Sequence, residues 1–157
     1  ALKEYVNSMV ILGMLSRAVK GCEEMLELCE NDNLGIRFKL IHLYAHFENE
    51  EKALDLFERY DGNFSSQMLL PMSILYFKLG DLDKALVYLK RLRQINKDTK
   101  RFFNALIEGD FDSVTEASEA FAYTPGSFEE LAIDFVDNSA FYAETSIYYM
   151  WAVKRIK

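Results

Sequence analysis

The segment Gly80-Asp81-Leu82-Asp83-Lys84-Ala85-Leu86 recurs in weaker copies, and this repetition constrains the fold more than any other feature. Asn49-Glu50-Glu51-Lys52-Ala53-Leu54 precedes it, and Gly109-Asp110-Phe111-Asp112-Ser113-Val114 follows it. Gly13-Met14-Leu15-Ser16-Arg17-Ala18-Val19 is a fourth, fainter copy. The small apolar residue recurs at Ala18, Ala53, Ala85 and Val114, giving spacings of 35, 32 and 29. A period of about 34 with a small residue five places after a turn is the mark of a helix–turn–helix repeat array. Such units bury their apolar faces against their neighbours, leaving an extended surface for recognition.

Helical spacing runs through the whole chain. Leu2, Tyr5, Val6, Met9, Val10 and Leu12 recur at intervals of three and four, as do Leu15, Ala18, Val19, Cys22, Met25, Leu26 and Cys29. Asn31-Asp32-Asn33 stops one helix and caps the next, because short polar side chains bond free backbone amides. Helices are expected from Leu34 to Phe47, from Glu50 to Tyr60 and from Ser65 or Ser66 to Leu79, with Pro71 inside the last. Others follow over 82–95 and 98–107. Ser113-x-x-Glu116 and Ser127-x-x-Glu130 both fit the capping box. Closing helices are expected over 127–136 and 139–156. No segment alternates like a strand, so the chain reads as all-α, a single domain over 1–157. Its units are roughly 1–30, 33–61, 65–96 and 98–122, with capping helices over 127–157.

Composition removes several classes. Half of the 157 residues are apolar and 14% aromatic, which excludes a disordered chain. The net charge of −7 argues against nucleic acid. The only basic cluster is Lys90, Arg91, Arg93, Lys97, Lys100 and Arg101; it surrounds one helix end, where cations complement the dipole. No apolar run approaches the length of about 18 residues that a membrane span requires, and no signal peptide is visible. Cys22 and Cys29 lie two helical turns apart, about 10.5 Å, too far for a disulfide within one helix. They read as buried thiols, and the expected compartment is cytoplasmic. The chain starts at Ala1 inside a helical pattern, so it is expected to be a processed chain or a piece of a longer array.

With Gly and Ala at fixed repeat positions, the units resemble tetratricopeptide repeats. Tyr76, Gly80 and Ala85, with Leu89 where an aromatic is usual, carry the resemblance in the third unit. Tyr44, Ala53 and Phe57 carry it in the second; the first keeps Gly13 and Ala18. Asp32-Asn33-Leu34-Gly35-Ile36-Arg37, Leu56-Phe57-Glu58-Arg59-Tyr60 and Tyr123-Thr124-Pro125-Gly126-Ser127-Phe128-Glu129-Glu130 resemble a group of mostly uncharacterised bacterial and plant members. Some members carry a cysteine-rich zinc-chelating tail, which is not found in this sequence. The resemblance implies a superhelical stack of antiparallel helix pairs whose concave groove, lined by first helices, binds a peptide or protein segment. Mapped by repeat position, that groove comprises Lys3, Asn7, Phe38, Lys39, His42, Gln67, Leu70 and Ile74. The carboxylate clamp of chaperone-binding relatives matches at Lys3 and Asn7 only. Lys39 stands where the second Asn belongs, and Gln67 and Pro71 stand where the cations belong.

His42 and His46 share a helix face, but Leu43 follows the first His where a catalytic zinc helix needs Glu, and no third ligand is evident. Glu23, Glu24, Glu27, Glu30, Glu48, Glu50 and Glu51 read as solvated faces and helix-start charges. No phosphate loop or nucleophile elbow is present, so an enzyme, a cofactor and a resident metal are not expected. The expected function is a protein–protein interaction scaffold. The alternative is a structural or self-associating module using the aromatic C-terminal helix with Phe141, Tyr142, Tyr148, Tyr149 and Trp151, which implies a homodimer.

Overall fold

The four repeat copies adopt one backbone turn. In the computed structural model, which describes residues 2–157, left-handed residues stand at Gly13 (φ +74°), Glu48 (φ +55°), Gly80 (φ +80°) and Gly109 (φ +74°). Each donates its N–H three residues back, to Val10, Ala45, Phe77 and Leu106. The next residue donates five back: Met14 to Met9, Asn49 to Tyr44, Asp81 to Tyr76 and Asp110 to Ala105, all at 2.8–2.9 Å. This is the Schellman closure of a helix C-terminus. A side chain in that conformation costs about 1–2 kcal/mol, which is why glycine holds three of the four places. In three copies the residue after the left-handed one then caps the following helix: Asn49, Asp81 and Asp110 accept from Lys52, Lys84 and Ser113 N–H. Five residues past each left-handed turn, Ala18, Ala53, Ala85 and Val114 are 0–1% exposed.

The described residues form ten α-helices and no strand: α1 (Leu2–Ile11), α2 (Leu15–Leu28), α3 (Ile36–His46), α4 (Glu50–Arg59), α5 (Ser66–Lys78), α6 (Leu82–Ile95), α7 (Thr99–Glu108), α8 (Phe111–Ser118), α9 (Phe128–Asp137) and α10 (Tyr142–Val153). Short 3-10 turns at Gly62–Phe64 and Ser139–Phe141 complete them. Helices α1 to α8 associate in sequential pairs. Consecutive pairs meet through α2 on α3 and through α3 on α5. Helix α9 lies against α8 and α7 and also reaches α5. Helix α10 returns across α7 and α5.

The core follows α5, whose residues from Ser66 to Tyr76 are all buried. Leu69, Met72, Leu75, Leu89, Leu92, Phe102, Phe103 and Tyr148 are at most 1% exposed. Pro71, in the second turn of α5, cannot donate to the Gln67 carbonyl one turn back, the bond an α-helix would otherwise form.

Three local expectations are corrected and a fourth is narrowed. Ser113 is not a helix cap: α8 already starts at Phe111, with Asp110 as its cap. The glycine-and-acid turn therefore sets this start, upstream of the serine motif. Ser127 does cap α9, accepting from Glu130 N–H at 3.3 Å, but the Glu130 carboxylate accepts from Gly126 N–H at 2.7 Å instead of reaching back to the serine amide. The expected burial of both thiols holds for Cys22 alone, because Cys29 ends α2 and faces solvent. The expected capping by the Asn31–Asn33 segment resolves to Asp32, whose carboxylate accepts from Ile36 N–H (2.7 Å), Arg37 N–H (2.9 Å) and the Arg37 guanidinium (2.9 Å).

Candidate functional site

Helix α3 presents Lys39, His42 and His46 at intervals of three and four, one stripe along the helix. The C-terminal helices answer this stripe group by group. The Lys39 ammonium donates to the Asp137 carbonyl at the end of α9. His42 Nε2 lies 2.9 Å from Asp134 Oδ2. His46 Nδ1 lies 2.9 Å from Glu144 Oε2, and Lys78 Nζ of α5 approaches the other Glu144 oxygen at 3.3 Å. Each histidine has its own carboxylate. Among the described residues no three His, Cys, Asp or Glu side chains converge on a point where a metal would sit.

Beneath this seam Leu70 and Ile74 of α5 are 1% and 3% exposed. With His42, Phe135, Asn138 and Tyr149 they line a small cavity of about 20 Å³. That is room for a single water. Asn138 donates its amide to the Asp134 carbonyl and carboxylate, while its own buried Oδ1 has no protein partner.

Of the other five residues assigned to the groove, Lys3 is exposed, Asn7, Phe38 and Lys39 are half-buried, and Gln67 is buried. Lys3 and Asn7 of α1, Phe38 and Lys39 of α3, and Gln67 of α5 line one cleft of about 260 Å³, which α9 closes with Ile133, Asp134 and Asp137. Gln67 donates to the Tyr123 hydroxyl at 3.1 Å, tethering the α8–α9 loop to the rim. The Arg37 guanidinium stacks 4.2 Å from the Phe38 ring centre, holding that ring at the cleft wall. Burial holds the Lys39 ammonium below the usual lysine range, and the nearby positive charge of Lys3 acts in the same sense; Asp137 and Asp134 oppose both. The groove face thus divides in two. Its middle, with His42, Leu70 and Ile74, is filled by α9 and α10. Its end, with Lys3, Asn7, Phe38, Lys39 and Gln67, is an open cleft.

Of the two positions where the clamp pattern requires cations, Gln67 is engaged with Tyr123 and Pro71 is buried in α5. The three arginines of the basic cluster are engaged within the chain. Arg93 donates to the carbonyls of Lys97 and Lys157, Arg91 to Asn63, and Arg101 stacks on Phe128. The aromatic residues of the last helical segment point largely inward: Phe141, Tyr148 and Tyr149 are 6%, 0% and 4% exposed, and Trp151 packs on Phe77. Its outward apolar residues are Ile147 and Met150.

Sequence reasoning missed Tyr123, Asp134, Asp137 and Glu144, which sit 56 to 98 residues from their partners. One signal was available. Asp134-x-x-Asp137 repeats the interval of Lys39-x-x-His42, with carboxylates in place of the basic side chains.

No family model, curated protein or solved structure matches this chain. Among the described residues no helix is long and apolar enough to cross a membrane.

Proposed function

We propose that the chain is a tetratricopeptide-like stack of helix pairs that binds a short segment of a partner protein in the cleft among α1, α3 and α9. The observation that carries this reading is the grouping of Lys3, Asn7, Phe38, Lys39 and Gln67 around one opening, although they come from three different helices. The recurrence of one Schellman turn in four copies supports the repeat assignment. The cleft offers an aromatic wall and the Asn7 amide, the mixture of apolar anchor and polar fixing group used in recognition sites. The reading is of a non-catalytic adaptor whose partner is a protein or peptide and not a nucleic acid, given the charge of −7. A cytoplasmic setting agrees with two unpaired cysteines.

The test is selection of displayed peptides on the immobilised chain, followed by affinity measurement on Phe38→Ala and Lys39→Glu. Loss of a central anchor is expected to weaken binding at least about tenfold. Selected peptides that bind both variants as tightly as the parent would place recognition elsewhere. Self-association, the second reading, now relies on Ile147 and Met150, and sedimentation equilibrium of Met150→Glu addresses it separately.

A further inference from the structure

The two walls of the open cleft carry opposite charge: Lys3 and Lys39 on one, Asp134 and Asp137 on the other, with the Asp134 carboxylate already engaged by His42. On one wall Lys39 spends its hydrogen bond on a neutral acceptor, the Asp137 carbonyl. Among the described residues Lys3 makes no ion pair and the Asn7 amide has no hydrogen-bond partner. Two partly or fully exposed ammonium groups and a free amide therefore face the same opening. On the other wall the carboxylate of Asp137 stands exposed and unpaired at the C-terminal end of α9, where the helix dipole is also negative. Between them lie Leu34, 59% exposed at the mouth, and the Phe38 ring.

We propose that this cleft binds a small zwitterion with an apolar side chain, a free α-amino acid of the leucine type. Its carboxylate would lie between Lys3 and Lys39, its ammonium against Asp137, and its side chain on Leu34 and Phe38. Three observations select this class. A simple anion would satisfy the lysines and leave Asp137 facing a like charge. A simple cation would meet two ammonium groups. A neutral apolar molecule would cover the Lys3 ammonium and the Asp137 carboxylate without compensating either, which is unfavourable for a charge. Size agrees: about 260 Å³ lies just below the range of roughly 300–1,000 Å³ typical of small-molecule pockets. It suits one residue, not an extended strand. The inference rests on the reading of this cleft as the open part of the groove, and it makes the amino acid a competitor of the partner segment.

The experiment is titration of the full chain with L-leucine, N-acetyl-L-leucine and L-leucinamide, followed by amide chemical shifts and calorimetry. Leucine is expected to shift resonances of α1, the α3 N-terminal half and the α9 C-terminus and to saturate. The acetylated and amidated forms, each lacking one charge, are expected to bind at least about tenfold more weakly, the loss of one charge-assisted contact. Asp137→Asn and Lys3→Met, both at exposed positions, should each weaken leucine by a similar factor while leaving the far-ultraviolet spectrum unchanged. Equal binding of all three compounds, or no shift with leucine at roughly 10 mM, overturns the proposal. Selected peptides that still bind in that case, and are weakened by Phe38→Ala, leave the groove reading standing. Failure of both ligands removes both.

Discussion

The return of α10 across α5 rests on a buried hydrogen-bond chain that a double-mutant cycle can measure. The Tyr148 hydroxyl donates to Ser73 Oγ at 2.8 Å, and Ser73 Oγ donates to the Ala85 carbonyl at 2.8 Å. Tyr148, Ser73 and Ala85 are all 0% exposed, so water cannot replace a lost partner. Burial also holds the Tyr148 phenol far above its usual ionisation range, which keeps it a donor. Tyr148→Phe removes one hydrogen bond but leaves Ser73 bonded to Ala85, and is expected to cost about 0.5–1.5 kcal/mol. Ser73→Ala leaves the Tyr148 hydroxyl buried without an acceptor, and is expected to cost about 1–3 kcal/mol. In the double variant no donor is orphaned, so its loss should fall short of the sum by about 0.5–3 kcal/mol. For a chain of this size each kcal/mol lowers Tm by about 2–4 °C. Urea unfolding followed by the fluorescence of Trp151, the one tryptophan, with its ring centre 5.8 Å from that of Tyr148, and by far-ultraviolet dichroism supplies all four energies. Losses additive within about 0.3–0.5 kcal/mol would mean that Tyr148 does not reach Ser73 and that α10 is not seated as described.

Ala85→Leu is expected to overpack the α5–α6 contact and cost about 1–3 kcal/mol; a variant that melts like the parent refutes the repeat alignment. Gly126 and Gly80 both have φ near +80°, but a Cβ at Gly126 would strike the Ile95 carbonyl, whereas at Gly80 it meets nothing. Gly126→Ala should therefore lose clearly more stability than Gly80→Ala in the same urea assay, and equal losses would contradict the loop placement. Burial raises the Glu130 carboxyl above its usual value despite the Gly126 N–H bond. A raised acid stabilises the fold at pH below its unfolded value, and that contribution is lost as pH rises through the folded value. The stability of Glu130→Gln relative to the parent should accordingly increase from about pH 4 towards neutrality, and a pH-independent difference would refute the assignment. Burial pushes the Cys22 thiol up to about 12, so iodoacetamide at neutral pH should modify Cys29 alone until the chain is unfolded; mass spectrometry of the native protein reads this directly.

Elements governed by local chemistry were legible from residue order. Asp81 followed by Leu82 and Lys84 places a cap and a helix start within a few residues, and Gly80 supplies the left-handed turn before it. The same logic located Ser127 and the small buried residues of each copy. It failed at Ser113, where two valid local signals competed three residues apart and Asp110 took the cap. The groove was only half legible for a different reason. Repeat position put Lys3, Asn7, Phe38, Lys39 and Gln67 on one side of the helix pairs, and these five line one cleft, but it carries no information about what returns to cover that side. The path of α10 depends on contacts between residues 75 to 98 positions apart, such as Tyr148 with Ser73 and Glu144 with His46.

The aromatic crowd of the last helix follows from that path. A closing helix that caps an array has one face to bury and one to hydrate. Helix α10 instead lies in the groove with α7 and α5 beside it and is covered by rings on several sides. Phe103 stands at 5.1 Å from Tyr149, Phe77 at 5.6 Å from Tyr148, and Tyr142 at 5.3 Å from Phe135. Three neighbouring elements require an apolar surface wider than one stripe, which explains the rings at Phe141, Tyr142, Tyr148, Tyr149 and Trp151 without an external partner. The outward strip that remains, Glu144, Ile147 and Met150, is narrow, and Glu144 is already committed to His46 and Lys78. Filling of the middle of that face by α9 and α10 therefore leaves only its end open, where the Lys3 ammonium and the Asp137 carboxylate line one cleft.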